Sequence, residues 1–134
     1  MTTEAEKESF LTQLRSQVGN TGDTITARDA VNQSTIRNWC DAVSESNPHY
    51  LNPEAAEEGP HGQIVAPPAM LQVWSMPGLI MGQQPQRSKD PSSATYAMLD
   101  EAGFVSVVAT NVEYVFHRYL KLGDVISGRT KLID

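Results

Sequence analysis

The chain has 134 residues, and its composition of 40% hydrophobic and 19% charged residues is ordinary for a globular domain with one core. Its formal net charge is −6 and its ten Lys and Arg residues form no basic stripe, which argues against a nucleic-acid partner. The first residues lack the pattern of a signal peptide, and no apolar stretch approaches the ~20 residues that span a bilayer. A single cysteine, Cys40, excludes an internal disulfide, so we expect a cytoplasmic protein.

Helices are predicted for the first half of the chain. Thr3 and Glu6 form a capping-box pattern before an apolar face, so residues 4–18 are expected to form a surface helix. A short strand is expected over 24–30, and Asn47-Pro48 should end the second helix because the residue before a proline avoids the α region. The second helix is expected to begin at Asn32 or Ser34. A third is expected from Pro53 to Glu58, with Asn52 as its cap. A further helical segment is expected over 69–75, before a break at Pro77-Gly78.

Strands are predicted for the second half. Residues 82–95 are rich in Gln, Ser, Pro and charge, and are expected to form a mobile loop. Apolar and polar residues alternate from Phe104 towards His117 and again over 125–133, on either side of a turn at Gly123-Asp124. Helices followed by an antiparallel sheet indicate an α+β fold in a single domain over 1–134. So few strands leave an unpaired edge, which predicts either a fragment or a completing partner.

Three segments carry a family resemblance. They are Trp39 to Ala56 with its Asn-Pro element, Gly62 to Leu71 with its Ala-Pro-Pro element, and Val112 to Asp124 with its Gly-Asp turn. Over roughly residues 24–134 the sequence resembles the MaoC-like family of (R)-specific enoyl-CoA hydratases and dehydratases, and in particular its N-terminal, Ala-Pro-Pro-bearing halves. The resemblance implies a hot-dog fold, in which a sheet wraps a central helix, here apparently truncated after its third strand. It also implies acyl-thioesters of coenzyme A as substrates, with no cofactor.

The same resemblance points to a missing catalytic pair. In catalytic members an Asp, an Asn-Pro and then a His hold and activate one water molecule. The corresponding positions here are Glu45 and Tyr50, an acid with an extra methylene and a phenol that is a poor base at neutral pH. Asn47 is expected to stabilise the turn before Tyr50.

The family's oxyanion donor is also in doubt. If the family's motif is aligned on Ala66, the His-Gly with which catalytic members begin the central helix is replaced here by Pro67-Pro68. Pro68 has no N–H to donate. If the motif is aligned on Met70 instead, Ala69 stands in place of the family's glycine and keeps its backbone N–H. Both alignments stay open.

Three histidines and the cysteine are the remaining chemical candidates. His49 lies four residues after Glu45, and a shifted Glu45/His49 dyad is an alternative to a local structural role. His61 is expected to be a solvated loop residue and His117 to support the sheet or a partner surface. Cys40 lies on an apolar helix face and is expected in the core. The spacing predicts no metal site.

An apolar cluster around the predicted central helix is expected to line an acyl site. A helix shortened at Pro77-Gly78 would leave a cavity for a bulky group, such as a steroid carried as its CoA thioester. The resemblance to steroid-degrading members implies a heteromer in which a partner subunit supplies the Asp and His. The alternatives are a self-sufficient hydratase or thioesterase using Glu45 and His49, or an acyl-CoA binding or docking module without catalysis. The predicted substrate-binding residues are Met70, Leu71, Trp74, Met76 and Leu79.

Overall fold

The computed structural model describes residues 3–76, 91–106 and 108–134, which divide into two compact units. The first unit takes residues 3–25, 91–106, 108–112 and 128–134, and the second takes 26–76 and 113–127. No helix within these described ranges is long and apolar enough to cross a membrane. In chain order the elements are α1 (Glu4–Arg15), β1 (Ile25–Thr26), α2 (Gln33–Val43), α3 (Pro48–Leu51), α4 (Pro53–Glu58), a 3-10 helix (Pro68–Met70), α5 (Leu71–Ser75), α6 (Pro91–Glu101) and β2 (Ser127–Gly128).

The first unit contains α1, which begins as its sequence predicts. The Thr3 hydroxyl accepts from the Glu6 N–H at 3.2 Å, and the Glu6 carboxylate accepts from the Thr3 N–H at 3.0 Å. This capping box satisfies two of the N–H groups that a helix start leaves without intrahelical acceptors. Phe10 of α1 stacks on Phe104 with ring centroids 6.3 Å apart. The capping-box prediction is confirmed.

Helix α6 corrects part of the predicted mobile loop. Residues 91–95 form its first turns instead, while 82–90 lie outside the described residues. Pro91 suits the first turn because it has no N–H to lose there, and the Thr95 hydroxyl donates to the Pro91 carbonyl at 3.2 Å. The helix ends before Gly103, whose φ of +90° is the left-handed conformation common after helices.

The sheet is smaller than the alternating pattern predicts. β1 and β2 pair as a two-stranded sheet, and the Thr26 and Ser127 hydroxyls lie 2.9 Å apart across it. An antiparallel bridge between Thr21 and Lys131 adds one further pairing. Short strands are therefore present inside the predicted ranges 24–30 and 125–133.

The strand predicted from Phe104 to His117 is not formed. Residues 104–106 and 108–117 adopt no strand in the structure. An alternating pattern defines two faces, but a strand also needs a hydrogen-bonded neighbour, and this stretch pairs with no described segment. Its apolar side chains stay exposed as a result, with Val105 at 81% and Val115 at 73%.

The second unit is built around α2. The Asn32 side chain caps it by accepting from the Thr35 N–H at 2.9 Å, and its apolar stripe buries Ile36 and Cys40 completely. The core prediction for Cys40 is therefore confirmed. The remaining buried members of this core are Val31, Ala56, Ile64, Ala66, Met70 and Trp74.

The chain after α2 differs slightly from the prediction. Helix α2 ends at Val43, because Ser44 adopts a left-handed φ of 58°. Asn47 and Pro48 therefore do not end α2 but begin α3, with the Asn47 side chain as its cap. Asn52 then caps α4, whose bounds Pro53–Glu58 agree with the prediction.

A turn over residues 121–124 fixes the segment that faces the Ala-Pro-Pro element. The Ala66 N–H donates to the Leu120 carbonyl at 2.8 Å, and Val65 bridges to Lys121. Gly123 takes a φ of +87°, which favours glycine. The Asp124 carboxylate accepts from the Lys121 N–H at 2.8 Å and so closes the turn.

Asp124 makes this turn less stable at acid pH than at neutral pH. The Arg118 guanidinium donates to the Asp124 carboxylate at 2.5 Å, and this bond, with that of the Lys121 N–H, holds the Asp124 pKa below its usual value. Because the folded pKa is lowered, the stabilisation is present above the unfolded value of about 3.9 and is lost as pH falls through the folded value. We expect Asp124→Asn to cost about 1 kcal/mol at pH 7 and much less near pH 2. Urea unfolding of both proteins across this pH range measures the difference, and a difference independent of pH would contradict the assignment.

Candidate functional site

The segment from Glu45 to Tyr50 lies where the resemblance places a water-activating pair. Glu45 is half-buried, and its Oε1 accepts from the Asn47 N–H at 2.8 Å. The Asn47 Oδ1 in turn accepts from the His49 N–H at 3.0 Å, and the Asn47 carbonyl accepts from the Tyr50 N–H at 3.1 Å. The structural role predicted for Asn47 in this turn is present. The Glu45 carboxylate is part of the same backbone turn.

His49 is held by α4. Its Nδ1 lies 3.0 Å from the Ala55 carbonyl oxygen, which can only accept, so Nδ1 carries the proton. Gly59 lies against the same ring, since a Cβ added there would stand 2.6 Å from the His49 Cε1. No hydrogen bond or ion pair joins Glu45 to His49 within the described part of the chain. Each of these side chains is engaged with its own neighbouring backbone.

Tyr50, which the resemblance predicts to stand in place of the family's histidine, lies in α3. It is half-buried against the core of the second unit, and its carbonyl accepts from the Gln33 Nε2 at 3.0 Å. Burial raises the pKa of the Tyr50 phenol above its ordinary value, and the nearby Tyr119, Glu45 and Cys40 raise it further. The phenol therefore stays protonated at neutral pH and can donate a hydrogen bond but not accept a proton.

The Ala-Pro-Pro element leads into the 3-10 helix and α5, and the predicted break at Pro77-Gly78 lies outside the described residues. Pro68 is half-buried and begins the 3-10 helix, where its lack of an N–H costs nothing. Ala69 follows in the same first turn, so its N–H has no acceptor within the helix. Of the two positions considered from sequence, Ala69 alone retains a donor.

The five residues predicted to bind substrate occupy different environments. Met70 is fully buried and Trp74 is 6% exposed, and both pack in the core of the second unit. Met76 is 65% exposed at the end of α5, and Leu79 lies outside the described residues. Leu71 is half-buried and lines a cavity. Their part in substrate binding stays a prediction.

That cavity is the apolar pocket of the second unit. It has a volume of about 200 Å³ and is walled on one side by the Ala-Pro-Pro element with Leu71, and on the other by residues 115–120. Sequence reasoning missed the second wall, which includes Val115, Phe116 and Leu120. Their apolar character was visible, but the antiparallel approach of Ala66 to Leu120 was not.

Two histidines, His61 and His117, line a second concave surface next to the apolar cavity. His61 is exposed, as predicted, but its ring also packs on Tyr119 with centroids 4.5 Å apart. His117 is exposed and lines both the apolar cavity and a neighbouring groove of about 510 Å³. Within residues 3–76, 91–106 and 108–134 no group of His, Cys, Asp and Glu side chains is placed to hold a metal ion.

Helices followed by a small antiparallel sheet, with a central helix facing residues 115–120, define an α+β protein of the hot-dog class. The chain belongs to the family described as the FAS1-like, dehydratase domain region, whose sequence model matches residues 16–134. This is a MaoC-like family, so the predicted family and fold class are confirmed.

Individual relatives agree with this assignment. The chain is 46% identical over 108 residues to the 3-oxo-4,17-pregnadiene-20-carboxyl-CoA hydratase alpha subunit of Mycobacterium tuberculosis, covering 81% of this chain and 34% of the relative. It is 39% identical over 121 residues to a probable enoyl-CoA hydratase alpha subunit of Thermomonospora curvata, covering 90% of this chain and 38% of the relative. The chain thus spans little more than a third of these proteins.

A solved structure shares the fold. The crystal structure of the ChsH1-ChsH2 complex from Mycobacterium tuberculosis contains a chain that matches with a TM-score of 0.80 and 37% sequence identity. The match covers 98% of this protein's chain and 71% of the matching chain in the crystal structure. The two proteins therefore share the hot-dog architecture over nearly all of this sequence.

Proposed function

We propose that this chain is the substrate-accommodating part of a heteromeric 2-enoyl-CoA hydratase and does not itself activate water. A MaoC-like partner subunit supplies the Asp and His, and this chain receives part of a bulky acyl group such as a steroid side chain. The substrate is a coenzyme A thioester, no cofactor takes part, and the complex works in the cytoplasm. The names of the relatives, two of them hydratase alpha subunits, support the reaction class and the heteromer.

The observation that carries the proposal is the state of the Glu45–Tyr50 segment. A base must reach its water within about 2.6–3.2 Å and must be free to take a proton. Glu45 instead accepts the Asn47 N–H in the turn, the His49 Nδ1 faces the Ala55 carbonyl oxygen, and among the described residues no hydrogen bond joins the Glu45 and His49 side chains into a dyad. Tyr50 has a raised pKa. These contacts favour the accessory role over the alternative hydratase or thioesterase that uses Glu45 and His49.

The size of the apolar cavity supports the need for a partner. Pockets that enclose drug-sized ligands have volumes of about 300–1,000 Å³. The cavity beside Leu71 has about 200 Å³, so it receives one part of a fused-ring acyl group and not the whole of it. In the proposed complex the partner closes the remaining surface and presents the reacting double bond to its own acid and base.

The chemistry that follows divides between the two subunits. The partner's carboxylate and imidazole deprotonate water and deliver the proton, and a backbone N–H stabilises the enolate oxygen. This chain contributes binding energy from the unreactive end of the acyl group, which positions the double bond for attack. The apolar walls also keep bulk water away from that end.

Reconstitution tests the proposal. The chain is purified alone and also co-expressed with a MaoC-like hydratase subunit that carries the Asp and His, and both samples are assayed for loss of enoyl-CoA absorbance. We expect no turnover by the chain alone and hydration by the complex. Turnover by the isolated chain at enzymatic rates would contradict the accessory role. Binding without turnover in any partner combination would instead identify a docking module.

A further inference from the structure

The stretch from Phe104 to Phe116 has the composition of a β-strand but no hydrogen-bonding neighbour. Nine of its thirteen residues are β-branched or aromatic, and it contains neither glycine nor proline. The Phe104 N–H donates to the Leu99 carbonyl at 2.8 Å, but residues 105–106 and 108–116 make no backbone hydrogen bond to any other described backbone group. The stretch therefore offers a row of unpaired N–H and C=O groups, the kind of edge to which another strand adds.

Part of this stretch already has the side-chain arrangement of a strand. The rings of Tyr114 and Phe116 stack with their centroids 5.6 Å apart. Residues i and i+2 lie on the same face of an extended backbone, so the contact is the one that a strand would give. What the stretch lacks is a neighbour, because its own backbone can adopt the extended form.

The sequence of the stretch is nearly symmetric about Thr110. Positions equally far from Thr110 carry the same apolar residue in three cases, which are Val108 with Val112, Val105 with Val115, and Phe104 with Phe116. All six side chains are exposed, from 42% for Phe116 to 81% for Val105. An interface between two identical chains requires that residue i meets residue j whenever j meets i. A sequence that is symmetric about its centre satisfies this requirement.

We propose that two copies of this chain pair antiparallel through residues 104–116, with Thr110 opposite Thr110 on a two-fold axis. In this register each of the six apolar side chains faces its own residue type across the pair. Pairs of aromatic and β-branched side chains, and of two threonines, stabilise antiparallel strands. Every pair away from the axis occurs twice, so each contact counts double.

The distribution of charge favours a second copy in spite of the formal net charge of −6. Glu113 is the one Asp, Glu, Lys or Arg between Phe104 and Phe116, and it lies three positions after Thr110. The two Glu113 side chains are then six positions apart along the pair, about 20 Å at ~3.4 Å per residue. This separation exceeds the Debye length of about 8–10 Å, so the two carboxylates do not oppose the pairing.

The pairing also bears on the apolar cavity. Val115 and Phe116 belong to its wall. In the proposed register Phe104 of the second copy lies opposite Phe116, so the second copy adds an apolar side chain beside the cavity. The inference does not depend on the proposed function, since it needs neither a catalytic partner nor a substrate.

Sedimentation equilibrium of the purified chain measures the association. We expect a species of twice the 14.7 kDa chain mass, with little dependence on salt because the paired stretch carries so few charges. Val108→Lys should weaken the association by about tenfold or more, because each dimer contains the change twice. Val43→Lys is the matched control and should leave the association unchanged, since Val43 is also exposed but ends α2. A chain that stays monomeric, or forms only larger mixed aggregates, overturns the proposal.

Cysteine substitution tests the register. Under oxidised glutathione, Thr110→Cys should link two copies, because opposite residues have Cα atoms about 4.5–5.5 Å apart and a disulfide spans about 4.4–6.8 Å. Val112→Cys is the control, since its two copies lie four positions apart, about 13 Å along the pair. Both positions are exposed, so neither change should disturb folding, and the native Cys40 is fully buried and does not compete. The proposal is overturned if the two variants link equally, or if neither links, as expected when a different protein supplies the neighbouring strand.

Discussion

Replacing Glu45 by glutamine should leave kcat of the reconstituted hydratase within about twofold of the unmodified complex. Replacing the histidine that the partner is proposed to supply should lower kcat by about 10²–10⁴-fold, the usual contribution of general acid–base catalysis. The difference arises because the Glu45 carboxylate accepts the Asn47 N–H at 2.8 Å and is engaged in a turn. Initial rates of enoyl-CoA loss at saturating substrate measure both variants.

Glutamine is chosen because it separates charge from structure. Its side-chain oxygen can still accept the Asn47 N–H, whereas alanine would leave that donor unpaired and disturb the start of α3. Unfolding of Glu45→Gln in urea serves as the control, and its midpoint should match that of the unmodified chain. A stable Glu45→Gln variant that loses a hundredfold or more in kcat would select the dyad of Glu45 and His49 over the accessory role.

Local signals account for most of what the sequence predicted correctly. The caps Thr3, Asn32 and Asn52 act on N–H groups two or three residues away, so their patterns are complete within a short window. The strand expected up to His117 depends instead on a distant hydrogen-bonding neighbour. Alternation in sequence contains no information about whether that neighbour exists, and the prediction was wrong for this reason.

In the candidate site, too, the sequence pattern gave predictions for single positions but not for contacts between distant residues. The assignment of Glu45 and Tyr50 to the family's Asp and His positions comes from the sequence pattern and stays a prediction. The engagement of His49 cannot be predicted in this way, because it depends on how α4 brings the Ala55 carbonyl to the ring. The wall at Phe116 likewise depends on the pairing of Ala66 with residue 120.

The predicted acyl-binding residues fall on two different faces of one short helical segment. Met70 and Trp74 are four residues apart, a spacing that places them on one helical face, and both are in the core. Leu71 is one position on and lines the cavity. A core face and a cavity-lining face of the same helical segment are thus separated by about a quarter-turn.

Met70 and Met76 offer a matched pair of substitutions at the two ends of α5. Met70→Ala should lower the free energy of unfolding by about 2–5 kcal/mol, because it removes a fully buried side chain and leaves a cavity among Ile36, Cys40 and Trp74. Met76→Ala should change it by less than about 0.5 kcal/mol, because that side chain is 65% exposed. Urea denaturation followed by tryptophan fluorescence measures both, with Trp74 as a reporter in the core.

The comparison also separates packing from substrate binding. Alanine is a good helix former, so neither variant should lose stability through backbone propensity. If Met76 contacts the acyl group in the assembled complex, Met76→Ala should raise KM for the enoyl-CoA while the unfolding midpoint stays unchanged. Met70→Ala should do the opposite. It should lower the free energy of unfolding strongly without a change in KM that is specific to the substrate. Equal losses of stability in the two variants would mean that the end of α5 is packed in solution, contrary to its exposure in the structure.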